Sequence, residues 1–261
     1  MSESPNAGVT GRKPYRRSMS GWWRRDPFFV RYMIREVTAF IVAAYAIVLL
    51  VGVLALSRGE AAWNGWLAAM RSPLSVGLHV FILLAMIYHT WSWFEIMPKT
   101  MPALRIGGQR VAPATIIGAG LVAAVIASLA LFALACCGHE GHGDHEAPNA
   151  PVFWALFGGG GCSALFGPML VFITGIAVPL GFLLPGNLLD YPRMLAFARH
   201  WAGKAFVFAV VMLFIWHAAH RILKSLHDVG VHPGMTAKLC CYGSALVVTL
   251  LAAWALLSIG F

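Results

Sequence analysis

The chain has 261 residues, 59% of them hydrophobic and only 11% charged, with a formal net charge of +9. Soluble domains carry about 25% charged residues, so this composition excludes a water-soluble fold and makes lipid the solvent. The charges fall in blocks that leave uncharged runs at residues 37–57, 72–94, 111–139, 147–189, 205–220 and 239–261, and most of these reach the roughly 20 residues that carry an α-helix across about 30 Å of hydrocarbon.

The first 36 residues hold eight of the nineteen Lys and Arg, interleaved with Tyr15, Trp22, Trp23, Phe28 and Phe29. Basic residues favour the cytoplasmic side and aromatic rings the interface, so this leader reads as a cytoplasmic segment on the membrane surface and not as a nucleic-acid patch. It is too long and too polar to be a cleaved signal peptide and is expected to be retained. Six spans follow. Strands that alternate lipid-facing and polar residues are absent from the sequence, so the predicted fold class is an all-α membrane protein with six transmembrane helices. The fourth run contains Gly167, Pro168, Gly175, Pro179 and Gly181 and is predicted as a kinked or tilted helix with an irregular lead-in. The fifth run is the shortest at 16 residues, long enough if Lys204 snorkels to one interface and Arg221 to the other.

The five cysteines form two adjacent pairs, Cys136 with Cys137 and Cys240 with Cys241, plus Cys162; none has metal-site or haem-attachment spacing, and they read as small apolar residues of helix ends. The segment after the first pair carries His139, His142 and His145 among Glu140, Asp144 and Glu146. It reads as a solvated connector, although these side chains can also hold a divalent metal. No metal site is assigned.

Divided there, the chain gives a leader (1–36), a three-helix half (37–137), a histidine-rich linker (138–150) and a second three-helix half (151–261). The middle span of each half ends in histidine, tryptophan and ionisable residues: Tyr88, His89, Trp91, Trp93 and Glu95 in the first, Trp216, His217, His220 and Arg221 in the second, followed by Lys224, His227 and Asp228. Residues four apart share a helix face, as His89 does with Trp93 and His217 with Arg221. Ionisable groups in hydrocarbon are costly, about 2.5–3.5 kcal/mol each near the bilayer centre on insertion scales. Lys224, His227 and Asp228 are read as interfacial anchors. Arg35 and Glu36 open the first span and His89 and Trp93 close the second, so all four lie at one membrane face. A carboxylate, imidazoles, guanidinium groups and indoles around an apolar slot suit a lipid-soluble quinone, with Glu36 or a histidine taking its protons and Arg or Lys stabilising a developing oxyanion. The same pattern also fits a small proton- or metal-coupled transporter.

At these residues the chain resembles a known family, the C and D membrane-anchor subunits of the haem-less bacterial quinol:fumarate reductases. Arg12 to Tyr15, Trp22 to Arg25, Arg31 to Glu36, and His89 with Trp93, Phe94 and Glu95 resemble the C subunit. Pro151 to Trp154, Leu195 to Ala198, His220 with Arg221, and His227 with Asp228 resemble the D subunit. The resemblance implies an inner-membrane anchor with a cytoplasmic N-terminus. Its partners are an iron–sulfur subunit and a flavoprotein subunit that carry the clusters and the FAD, and it oxidises menaquinol near the cytoplasmic face. Carried over by position, Glu36 is the proton acceptor, His89 hydrogen-bonds near a quinol oxygen, Trp93 and Trp154 are pocket walls, Arg35 and Arg221 are electrostatic partners, and His220 completes the site.

His79 and His217 depart from the expected pattern. They are read as hydrogen-bonded core histidines with no haem expected, the alternative being a b-type haem held between them, as in succinate dehydrogenase-type anchors. The resemblance also requires both halves to enter the membrane from the cytoplasm as parallel repeats, whereas simple alternation of six spans inverts the second half. Both arrangements put equal numbers of basic residues inside, so charge does not choose; parallel halves are the expectation.

Overall fold

A computed structural model of the chain describes residues 21–137, 161–231 and 233–260. Six of the described helices are long and apolar enough to span a membrane. The first, α1 (Pro27–Ser57), starts ten residues before its uncharged run, because Asp26 caps it by accepting from the Phe28 amide at 2.7 Å and Pro27 occupies the first turn. Arg31, Arg35 and Glu36 therefore belong to the helix itself. A short helix, α2 (Glu60–Met70), precedes α3 (Pro73–Thr100), which Ser72 caps. A two-residue hairpin (Arg105–Ile106 with Gln109–Arg110) turns through Gly107 and Gly108, both at positive φ, and leads to α4 (Pro113–Cys137).

The fourth span, α5 (Gly161–Leu180), contains a π-helical turn at Ile173–Ala177. Thr174 donates there to the Leu170 carbonyl at 2.8 Å and shares a hydrogen bond with the Tyr45 hydroxyl at 2.6 Å. The irregular lead-in expected before α5 lies outside the described residues. A short helix, α6 (Tyr191–Arg199), precedes α7 (Trp201–Asp228), and α8 (Met235–Ser258) closes the bundle. Hydropathy does not reveal α2 and α6, which lie between the apolar runs.

The shortest uncharged run is thus part of a 28-residue helix, whose length does not depend on its flanking cations. Lys204 is 8% exposed and donates to the carbonyls of Leu256 and Gly260, closing the end of α8. Arg221 turns to Glu36.

Small residues set the packing. Ala46, Ala218, Ala245 and Ala252 are completely buried where α1, α7 and α8 meet, the arrangement that lets helix backbones approach in lipid. Gly175 is the tightest case, for a Cβ at that position would overlap the His79 ring. Gly175→Ala is expected to cost about 1–3 kcal/mol through overpacking, read as a lower melting temperature in detergent. In a His79→Ala background the same change is expected to cost little.

Contacts across the bundle fix the helix directions. The start of α1 meets the end of α7 through Glu36 and Arg221. The start of α5 meets the end of α3, where Thr90 donates to the Ala164 carbonyl at 2.9 Å. At the opposite end Arg71 donates to the Gly186 carbonyl and Trp63 to the Leu189 carbonyl, both at 2.7 Å. Both halves therefore begin at the same end and run parallel. Early in α4, Leu121 packs with Phe94; late in it, Phe132 joins the cluster around Trp63 and Leu189. So α4 ends and α5 begins at opposite ends of the bundle. Between them, the histidine-rich linker and Trp154 lie outside the described residues.

Candidate functional site

The start of α1 and the ends of α3 and α7 converge on one end of the bundle. Glu36 is 1% exposed, its Oε1 accepts from Arg221 Nη2, and Arg35 Nε lies 3.7 Å from the same oxygen. A carboxylate buried this deeply is tolerated only with cationic partners. Arg221 supplies one from 185 residues away in sequence, a pairing no local pattern reveals. Glu36 Oε2 and Arg35 Nε are buried without hydrogen-bond partners among the described residues.

Tyr32 lies under the Arg35 guanidinium, 5.0 Å from it, and donates to the Asp228 carboxylate at 2.7 Å. Trp22 Nε1 donates to the Asp228 carbonyl. Asp228, expected to be an interfacial anchor, therefore ties the start of α1 to the end of α7.

His89 is 4% exposed and closed in by its own fold: Nδ1 shares a hydrogen bond with Thr38 Oγ1 at 2.8 Å and Nε2 with Ser163 Oγ at 3.2 Å. Its ring stands edge-on to His217, centroids 5.6 Å apart, and His217 in turn stands edge-on to Trp93 at 6.0 Å. His220 Nδ1 bonds the Tyr242 hydroxyl at 2.9 Å, and Tyr242 stacks on Trp216. Tyr242 carries no motif, and no signal in the sequence singles it out.

A cavity of about 940 Å³ opens among these helices, lined by Tyr32, Arg35, Tyr88, Trp93, Lys99, Trp216, His217, His220 and Arg221, among others. Of the site residues expected from sequence, Arg35, Trp93, His220 and Arg221 line it. Glu36 and His89 are in contact with lining residues without lining it themselves. Trp154 lies outside the described residues.

The two histidines weighed as an alternative haem pair do not meet. His79 precedes His89 by ten residues on one helix, about 15 Å along its axis, whereas His217 packs against His89. His79 Nδ1 is bonded to the Ser75 carbonyl at 2.7 Å, yet Nε2 of both His79 and His217 is buried without a partner among the described residues. The expectation that both are hydrogen-bonded core histidines is thus met for His79 on one nitrogen only.

Fold and cavity together define a polytopic, all-helical membrane protein with an ionisable, aromatic-walled recess at one end. Residues 10–136 match the fumarate reductase C-subunit family and residues 145–257 match the fumarate reductase D-subunit family. The first half is 39% identical over 126 residues to the fumarate reductase C subunit of Klebsiella pneumoniae, covering 48% of this chain and 95% of that protein. The second is 39% identical over 105 residues to the fumarate reductase D subunit of Photobacterium profundum, covering 40% of this chain and 87% of that protein. The chain belongs to the fumarate reductase membrane-anchor subunits, with the C and D subunits joined in one polypeptide.

Proposed function

We propose that this chain anchors the flavoprotein and iron–sulfur subunits of a fumarate reductase at the cytoplasmic face of the bacterial inner membrane and binds menaquinol at the recess described above. The observation that carries this reading is the recess itself, an aromatic-walled cavity beside the buried Glu36–Arg221 pair. The quinol supplies two electrons and two protons. Electrons pass to the iron–sulfur partner, and the FAD and clusters belong to the partner subunits. Trp93 offers a flat wall for the ring, and Arg35 and Arg221 offset negative charge as a hydroxyl loses its proton. Glu36 takes the two protons in turn, passing the first on to water before accepting the second: with Arg221 on Oε1, Oε2 is the oxygen without a partner among the described residues. His89 backs the wall and holds His217 in place. No haem is assigned, because His79 and His217 do not face one another.

The reading is tested on the intact membrane complex with menadiol as donor and fumarate as acceptor. Trp93→Ala is expected to raise the KM for menadiol about tenfold, the equivalent of about 1.4 kcal/mol, while viologen-driven fumarate reduction, which bypasses the quinol, stays unchanged. Failure to co-purify with a flavoprotein and an iron–sulfur protein, together with solute uptake by the isolated chain, would favour the transporter reading instead.

A further inference from the structure

Four buried side-chain polar atoms lack a hydrogen-bond partner among the described residues: Arg35 Nε, Glu36 Oε2, His79 Nε2 and His217 Nε2. Three of the four belong to this site, and two of those, on Arg35 and His217, belong to side chains that line the cavity. Leaving such an atom unpaired is costly, so native structures satisfy nearly all of them. The two atoms on lining side chains have almost no area open to the cavity, so a bound ligand reaches them only as the side chain turns toward it.

Position along the chain assigns the quinol's hydrogen bond to His89, whose two nitrogens are both engaged, by Thr38 and Ser163. Serving a ligand would mean breaking one of those bonds. His217 is the histidine of the pair that lines the cavity and keeps a nitrogen unengaged. Its ring stands edge-on to Trp93 with planes at 87° and to His89 at 70°, and a turn of the ring brings Nε2 to the cavity. A hydrogen-bonding atom beside an aromatic wall suits a planar ring that carries hydroxyls at its edge.

We propose that Nε2 of His217 exchanges the hydrogen bond with an oxygen of the bound quinol, and that His89 acts as a positioning residue behind it. Nε2 accepts from the quinol hydroxyl and, in the other tautomer, donates to a quinone oxygen. This rests on the assignment of the recess as the quinol site, and the experiment separates the two.

The test uses isosteres in the intact complex. The glutamine amide reaches where Nε2 stands, its oxygen accepting from a quinol hydroxyl or, after an amide flip, its nitrogen donating to a quinone oxygen, whereas an asparagine amide reaches only as far as Nδ1, and both are polar enough to keep the fold. Binding is read by fluorescence quenching of a hydroxyquinoline N-oxide, turnover by menadiol-driven fumarate reduction, and assembly by the viologen-driven rate. His217→Gln is expected to hold the N-oxide Kd and menadiol KM within about threefold of the parent. His217→Asn is expected to weaken both about tenfold, the equivalent of about 1.4 kcal/mol, with the viologen-driven rate unchanged. If Gln and Asn both behave like the parent while Trp93→Ala weakens binding, His217 faces only a buried water and the proposal is overturned, with the recess still the quinol site. If Trp93→Ala and His217→Asn both leave the N-oxide Kd unchanged, the recess assignment itself fails. Should Asn lower the viologen-driven rate in parallel with the menadiol rate, His217 is structural and the proposal falls.

Discussion

Replacing Glu36 by glutamine is expected to leave the complex assembled and to slow its oxidation of menadiol by about 10²- to 10⁴-fold, the span assigned to a lost general base. The isostere fills the same volume in a site that is 1% exposed, so packing is kept. The ion pair with Arg221 is lost together with the desolvation cost of the carboxylate; removing one partner is costly when the other charge is left buried and uncompensated, and here the charge left behind is the more exposed one. Arg221 is 30% exposed and keeps access to water once its partner is neutral. The signature is therefore a fall in kcat for menadiol with a preserved viologen-driven rate and an unchanged melting temperature. A Glu36→Gln complex that oxidises menadiol at the parent rate would falsify the assignment of Glu36 as proton acceptor.

Arg221→Leu has the opposite profile, with its main effect on stability. Removing one partner of a buried ion pair costs about 3–5 kcal/mol because the other charge stays buried and uncompensated. Here the arginine is partly exposed and Arg35 Nε stands 3.7 Å from the same oxygen, so a loss of about 2 kcal/mol is expected. It should appear as a lower melting temperature of the purified complex. The penalty belongs to the stranded carboxylate, so Glu36→Gln combined with Arg221→Leu should recover most of it. A double variant as unstable as the single one would locate the cost in packing of α7 against α1 and not in charge. Quinol oxidation is expected to stay low in both.

Much of this could be read from the sequence, and the particular residues show why. In lipid the backbone must satisfy itself, so apolar runs of sufficient length have to be helices, and the six runs correspond to the six spanning helices. Residues near each other along one helix were equally legible: Arg35 with Glu36, and His89 with Trp93, share an end because helical spacing and span direction place them there. Pairings across the bundle were not. Nothing local links Tyr32 to Asp228 or Lys204 to the carbonyls that end α8, and Lys204 was expected to reach for the interface. His89 and His217 were told apart only by their neighbours, since Thr38 and Ser163 take both nitrogens of the first and leave Nε2 of the second unpaired.

Helix direction shows the same division. Basic residues divide equally between the two arrangements of the second half, so charge alone could not orient it. Direction is set by which helix ends find partners: Thr90 with the Ala164 carbonyl, Glu36 with Arg221, Arg71 with the Gly186 carbonyl. By itself the sequence determined the solvent, the number of spans and the residue types gathered at one membrane face, because hydrophobicity and helical periodicity act locally. The tertiary structure alone decided that the halves run parallel, which cation neutralises Glu36 and which histidine lines the cavity, because those outcomes depend on packing between segments distant in the chain.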